Sequence, residues 1–237
     1  MNSGEFYSQQ SQGRYPAKSS AGSSHEQILK LCRGGAGERL LDVGCARGYL
    51  MNELRSQNWT VFGIEPDSSD CEIASQAGFS VFNCSAEEAL ESDLGKYDRI
   101  VFADVLEHLV NPTEVLRAYR RHLAENGTVI ISVPNIAHLS VRAQLMLGRF
   151  NMTDVGILDR THLHFYTQKT LFEFIRECGF SIVNFSSTPA PIEKVFPILT
   201  SRRFGWLLTF GSKIARIWPT LLGYQFIVVA SVNTSSE

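Results

Sequence analysis

The residues with the plainest chemical potential are Leu41, Asp42, Val43, Gly44, Cys45, Ala46, Arg47 and Gly48, an apolar run that stops in a glycine-punctuated turn. Glycine permits positive φ and lets the backbone approach a ligand, so such a turn at the carboxyl end of a strand cradles a nucleotide-like group. Asp42 narrows the choice, because a carboxylate just before the turn repels a pyrophosphate and attracts an ammonium. Glu65 ends the next apolar run about 20 residues after the first glycine, where an acidic side chain accepts hydrogen bonds from ribose hydroxyls. The competing account makes Asp42 a turn residue and Glu65 a helix cap. A second chemical group runs through Asp159, Arg160, Thr161, His162, Leu163, His164 and Phe165. In an extended segment His162 and His164 face one side, and a neutral imidazole is a suitable general base for a hydroxyl. Against this stands a loop staple, with Asp159 paired to Arg160 and His162 bonded to backbone. His108 is the other candidate base; His25, His122 and His138 read as surface or helix residues. Along the chain no His/Asp group at ligand spacing calls for a metal.

These residues need a scaffold, and the chain supplies alternating apolar runs and helix-like stretches from His25 onward, the pattern of βα units feeding a mostly parallel sheet. Strands are expected at Arg39 to Val43, Thr60 to Glu65, Phe79 to Asn83, Tyr97 to Ala103, Thr128 to Val133, Phe180 to Phe185 and Tyr224 to Val232. The Ile- and Val-rich fourth and fifth read as central strands buried on both faces. Helices are expected at Tyr49 to Gln57, at Pro112 to Ala124 with proline in the first turn, and at Gln168 to Cys178. Residues 1–24, rich in Ser, Gln and Gly, read as a mobile arm without a signal-like apolar run, and residues 25–237 as one α/β domain. Two insertions, about 134–166 and 190–222, read as caps. The first carries Asn135, His138, Arg142 and Arg149, and its arginines either grip an anionic acceptor or face solvent.

Taken together, Asp42 to Gly48, then Ile64-Glu65-Pro66, then Tyr97-Asp98 leading into Asp104-Val105-Leu106-Glu107-His108-Leu109 resemble the motif series of class I S-adenosylmethionine-dependent methyltransferases. S-adenosylmethionine carries an ammonium and no phosphate, as Asp42 favours. The resemblance covers Ile28 to Val133 and continues more loosely to the end. It implies a doubly wound, seven-stranded, mostly parallel sheet with an antiparallel last strand and helices on both faces. It implies a cofactor site of Asp42, Gly44, Cys45, Ala46, Gly48 and Glu65, with Ser85 and Ala86 near the adenine and Ala103 and Asp104 near the methionine moiety. The sequence departs from the pattern at Ala46, where a glycine is usual, and at Ser85, where an acid is common; alanine there costs a methyl of clearance. A DRTH segment followed by an aromatic residue also resembles methyltransferases encoded near bacterial surface-glycan genes, which implies methyl transfer to a hydroxyl or an amine of a small, sugar-like or glycan-linked acceptor and ranks His162 ahead of His164 and His108 among the candidate bases.

The remaining features bound the partners. A formal net charge of -2 over 237 residues provides no basic excess for a phosphate backbone, so nucleic acid is not expected. Five scattered cysteines, Cys32, Cys45, Cys71, Cys84 and Cys178, form no CxxC pair and fit a reducing cytoplasm. From Ile192 to Leu222 an apolar stripe including Trp206, Phe210, Ile214 and Trp218 is interrupted by Lys213 and Arg216 and is too broken to span a bilayer. Three readings stand open for it: packing on the sheet, peripheral docking to a membrane surface, or a pocket for a lipid-linked acceptor. A quinone- or lipid-directed O-methyltransferase and a non-catalytic S-adenosylmethionine-binding module are the alternatives that follow. An NAD-dependent dehydrogenase is disfavoured by Asp42 and by the spacing from Gly44 to Gly48.

Overall fold

Strict alternation of buried side chains builds the centre of the molecule. In β1 (Arg39–Val43) and β4 (Tyr97–Ala103), Leu41, Val43, Ile100 and Phe102 point to one face of the sheet, and Leu40 and Val101 to the other. The computed structural model describes residues 22–190 and 218–233. The other strands are β2 (Thr60–Ile64), β3 (Ser80–Phe82), β5 (Leu123–Pro134), β6 (Phe180–Ser187) and β7 (Gln225–Val232). Their order is β3-β2-β1-β4-β5-β7-β6, with β7 antiparallel to both neighbours and the other pairings parallel. The seven-stranded, doubly wound arrangement expected from the sequence is the one found. Chain order reverses between β1 and β4, and a crevice outside the carboxyl ends of strands at such a reversal is where α/β sheets bind ligands.

Helices cover both faces. α1 (Ser24–Leu31) and α2 (Tyr49–Ser56) bury Ile28, Leu50, Met51 and Leu54 on the face of Leu40, Val101 and Ile130. α4 (Pro112–Tyr119) and α6 (Gln168–Glu177) bury Val115, Leu116, Leu171 and Ile175 on the face of Leu41, Ile100 and Ile131. Each fully buried Leu or Ile contributes about 1.5–3 kcal/mol, so these two layers dominate stability. Local chemistry sets the ends. α3 (Ser68–Gln76) starts at Asp67, whose carboxylate accepts from Ser69 N (2.9 Å) and Asp70 N (3.0 Å), and Thr167 and Thr170 form a capping box on α6.

Several expected boundaries shift for physical reasons. α4 ends at Tyr119 and a 3-10 turn spans Arg120–His122, because Leu123 already pairs with Tyr97 as the first residue of β5. His122 is therefore buried, its Nδ1 3.1 Å from Gly95 O, and is not a surface residue. α1 begins at Ser24, inside the stretch read as an arm; residues 1–21 of that arm lie outside the described residues. In the first insertion, α5 (Leu139–Met146) is capped by His138, which is buried against Tyr224. Of the second insertion only its edges are described, including the short α7 (Pro219–Leu222); Trp206 and the rest of the stripe at 191–217 lie outside the described residues. Among the described residues no helix is long and apolar enough to cross a membrane.

Candidate active site

The glycine turn sits where the sequence placed it, at the carboxyl end of β1. Gly44 (φ 74°) and Gly48 (φ 76°) are left-handed, and Gly44 N donates to Ile64 O (2.8 Å), tying the turn to β2. A Cβ on Gly44 would stand 2.7 Å from Val105 Cγ2, so strain and clash both demand glycine. Gly63 in β2 plays a supporting part that the sequence did not reveal, since a Cβ there would lie 2.5 Å from the Cys45 Sγ packed beside it. Ala46 costs more than the expected methyl: its φ of 46° puts a non-glycine residue in the left-handed region. Asp104, at the end of β4, shares that backbone state with φ 60°. Two strained residues thus flank the reversal point, which is where functional backbone strain concentrates.

The acidic residues of this crevice are short of positive charge. Asp42 is 2% exposed, and burial first, then repulsion from Glu65, pushes its carboxyl from 3.8 up to about 8. Glu65 is raised to about 7, chiefly by burial, despite accepting from Asp67 N (2.9 Å) and Ala46 N (2.8 Å). It therefore both clamps the turn and keeps lone pairs for hydroxyl donors; the cap of α3 is Asp67 and not Glu65. Arg47, the cation beside the turn, pairs with Asp70 at 2.8 Å. A ligand with an ammonium and a ribose fits this donor set, whereas a phosphate does not. Asp104 Oδ1 accepts from Ser132 Oγ (2.9 Å) and Gln225 Nε2 (2.7 Å), positioning partners from β5 and β7 that no motif marked. Ala103 precedes it, half-buried. Ser85 and Ala86 are buried after β3, but the Ser85 hydroxyl accepts from Glu88 N (3.1 Å) in a reciprocal cap, and Ala86 O accepts from the Tyr119 hydroxyl.

On the acceptor side the fold brings together residues far apart in sequence. His108, in the turn after β4, and His162, in the first insertion, are both buried, with ring centroids 4.7 Å apart. Leu163 N and His164 N both donate to Glu107 O (2.8 and 3.0 Å), which pins the insertion to that turn. Each of Glu107, His108 and His162 offers a ligand-type atom within 4.8 Å of the others. The expectation of no metal-like group came from spacing along the chain and missed this tertiary cluster. Burial, then the neighbouring His162, depresses His108 to about 4. His164 stands apart, partly exposed with Nε2 3.3 Å from Val110 O, so His162 and His164 do not share a face: the segment is irregular and not a strand. The staple account is half right. His162 Nδ1 does bond Ile157 O (3.1 Å), but Arg160 pairs with Asp154 (3.2 Å), and Asp159 accepts from Thr161 N and Oγ1.

The first insertion is anchored by Asn135, fully buried, whose Nδ2 donates to Gly223 O (2.7 Å). Arg142 donates to Ala137 O and stays exposed. The insertion exposes apolar side chains at Leu145, Met146, Leu147 and Phe150, with Phe150 packed edge-on to Phe165, which in turn packs edge-on to His162.

A family model described as a methyltransferase domain matches residues 20–185. The ubiquinone biosynthesis O-methyltransferases of Pseudomonas savastanoi and Dechloromonas aromatica are each 32% identical over 106 residues, which is 42% of this chain and 46% of theirs. The similarity thus spans about half the length of these curated relatives. Among solved structures, an S-adenosylmethionine-dependent methyltransferase from Archaeoglobus fulgidus superposes with a TM-score of 0.58 at 18% identity over 88% of this chain and 94% of that one. The magnesium protoporphyrin IX methyltransferase of Synechocystis, with bound S-adenosylmethionine, gives 0.60 at 13% identity over 98% of each chain. At such identities the likeness speaks for the fold.

Proposed function

The chain belongs to the methyltransferase-domain family and is an S-adenosylmethionine-dependent methyltransferase, and on that premise we propose that it methylates a hydroxyl of a small, sugar-like or glycan-linked acceptor. The observation that carries this reading is the buried pair of His108, in the turn that follows β4, and His162, from the first insertion, with ring centroids 4.7 Å apart. Bound S-adenosylmethionine supplies a sulfonium methyl for in-line displacement. Asp42 offers its carboxylate to the ammonium, Glu65 offers lone pairs to the ribose, and the Gly44 to Gly48 backbone leaves room between them. Ser85 and Ala86 border the adenine, and Ala103 and Asp104 the methionine portion, with Ser132 and Gln225 holding Asp104 in place.

A hydroxyl acceptor must shed its proton as the methyl arrives, and His162 is the group we assign to that task. A carbonyl cannot donate, so the bond to Ile157 O puts the proton on Nδ1 and directs Nε2 to the acceptor. His108 orients its partner, and His164 is the reserve candidate. The DRTH segment, Asp159 to His162, supports the sugar-like or surface-glycan acceptor. A second reading, a quinone- or lipid-type phenol, is favoured by the ubiquinone-related relatives and by the apolar rim of Leu145 to Phe150. In that reading the rim rests on a membrane surface. Unpaired cysteine thiols suit a reducing, cytoplasmic setting in either case. The test is methyl transfer from labelled cofactor to nucleotide-sugars, extracted glycolipids and prenylated phenols in parallel. Labelled product from the sugar arm supports the first reading, product from the phenol arm alone replaces it with the second, and transfer only to amines overturns both.

A further inference from the structure

We propose that Glu107, His108 and His162 bind one divalent transition-metal cation. Two nitrogens and a carboxylate oxygen are the donor set favoured by zinc, manganese, iron or cobalt, whereas magnesium and calcium prefer all-oxygen sites. All three side chains are buried and their ligand-type atoms lie within 4.8 Å of one another. Ligands around a first-row cation with bonds of about 2.1 Å sit roughly 3 to 3.5 Å apart, so ligand atoms no more than 4.8 Å apart need to approach one another by at most about 1.8 Å.

The surroundings are those a metal site needs. His108 Nδ1 bonds Thr161 O (3.2 Å) and Thr161 Oγ1 (3.1 Å), and His162 Nδ1 bonds Ile157 O (3.1 Å). The carbonyls fix the Nδ1-protonated tautomer in both rings, which puts the basic lone pair on Nε2, the nitrogen that would ligate a cation. Thr161 Oγ1 donates in turn to Asp159 Oδ1 (2.7 Å), completing a carboxylate, hydroxyl and imidazole chain of the sort that orients metal-bound histidines. The backbone bonds from Leu163 and His164 to Glu107 O hold the two ligand-bearing segments in register. Three protein ligands leave coordination positions open, so a bound cation would polarise an acceptor hydroxyl and relieve His162 of the base's role. Only this last consequence rests on the hydroxyl-acceptor reading.

The experiment is titration of the chelator-dialysed full chain with Co2+, followed by visible absorption, with Zn2+ as competitor. One equivalent should bind and give ligand-field bands that Zn2+ abolishes. Glu107→Gln, His108→Ala and His162→Ala should each weaken binding by about tenfold or more, and Thr161→Val by about tenfold, while His164→Ala leaves it unchanged. Cofactor affinity shows that each variant remains folded. Absence of stoichiometric Co2+ uptake by the wild-type chain, or uptake unchanged in Glu107→Gln and His162→Ala, overturns the site. Methyl transfer by the same metal-free protein separates the two proposals: full activity without metal removes a catalytic role for the cation, whereas Co2+ uptake with no transfer to any hydroxyl leaves the metal site standing and removes the acceptor reading.

Discussion

Cofactor binding should be coupled to proton release, because burial raises both acidic groups of the crevice well above the ordinary carboxylate range before the ligand arrives. Burial, then repulsion from Glu65, holds Asp42 near 8, and burial, with smaller contributions from Asp70 and Asp67, holds Glu65 near 7. An ammonium beside Asp42 favours the ionised form and returns it toward the ordinary carboxylate range. Ionising a group of pKa 8 at pH 6 costs about 3 kcal/mol, and at pH 8 under about 0.5 kcal/mol. Apparent affinity for S-adenosylmethionine should therefore rise roughly 50-fold from pH 6 to pH 8, with up to a further factor of about ten from Glu65. The sign for the unliganded protein is opposite. Both groups have folded pKa values above their unfolded ones, so the native state holds more protons between about pH 4 and pH 8 and loses stability as pH rises through that window. Calorimetry in buffers of differing ionisation enthalpy reads the released protons directly, and Asp42→Asn should bind weakly with most of the pH dependence gone. Affinity constant within twofold across this range, with no net proton release, would refute the assignment of Asp42 to the ammonium.

Gly44→Val should abolish cofactor binding in a folded protein, since Val105 Cγ2 occupies the space its Cβ needs; retained binding by calorimetry would displace the turn from the site. Glu65→Ala should weaken cofactor binding by about 1–3 kcal/mol and lower the melting temperature as well, because the Ala46 and Asp67 amides lose their acceptor, with Glu65→Gln intermediate. Ala46→Gly should raise stability by about 0.5–1 kcal/mol by relieving the left-handed backbone, and a lower melting temperature would show that the strain is not there.

The sequence announced those parts of the site whose chemistry is local. Asp42, Gly44 and Gly48 declared themselves because a strand, a turn and a helix follow one another within a few residues, and β1 and β4 matched their expected bounds because each is a short apolar run covered on both faces of the sheet. The helix expected through Ala124 stopped at Tyr119, because parallel pairing of Leu123 with Tyr97 outweighs the helical preference of Arg120 to Ala124. Ser132 and Gln225 gave no signal as partners of Asp104, since β5 and β7 meet it only in the folded sheet. Glu107 lay inside a recognised motif without an evident role, and only its contact with the His162 segment gives it one.

The most direct test of the account is a 13C-methyl NMR experiment with labelled S-adenosylmethionine and the acceptor found by screening, run on the wild-type chain and on His162→Ala. The wild type should give an O-methyl resonance, and His162→Ala should lose about 100-fold or more in turnover with cofactor affinity unchanged. An N-methyl product, or near-normal turnover after loss of His162, would contradict it.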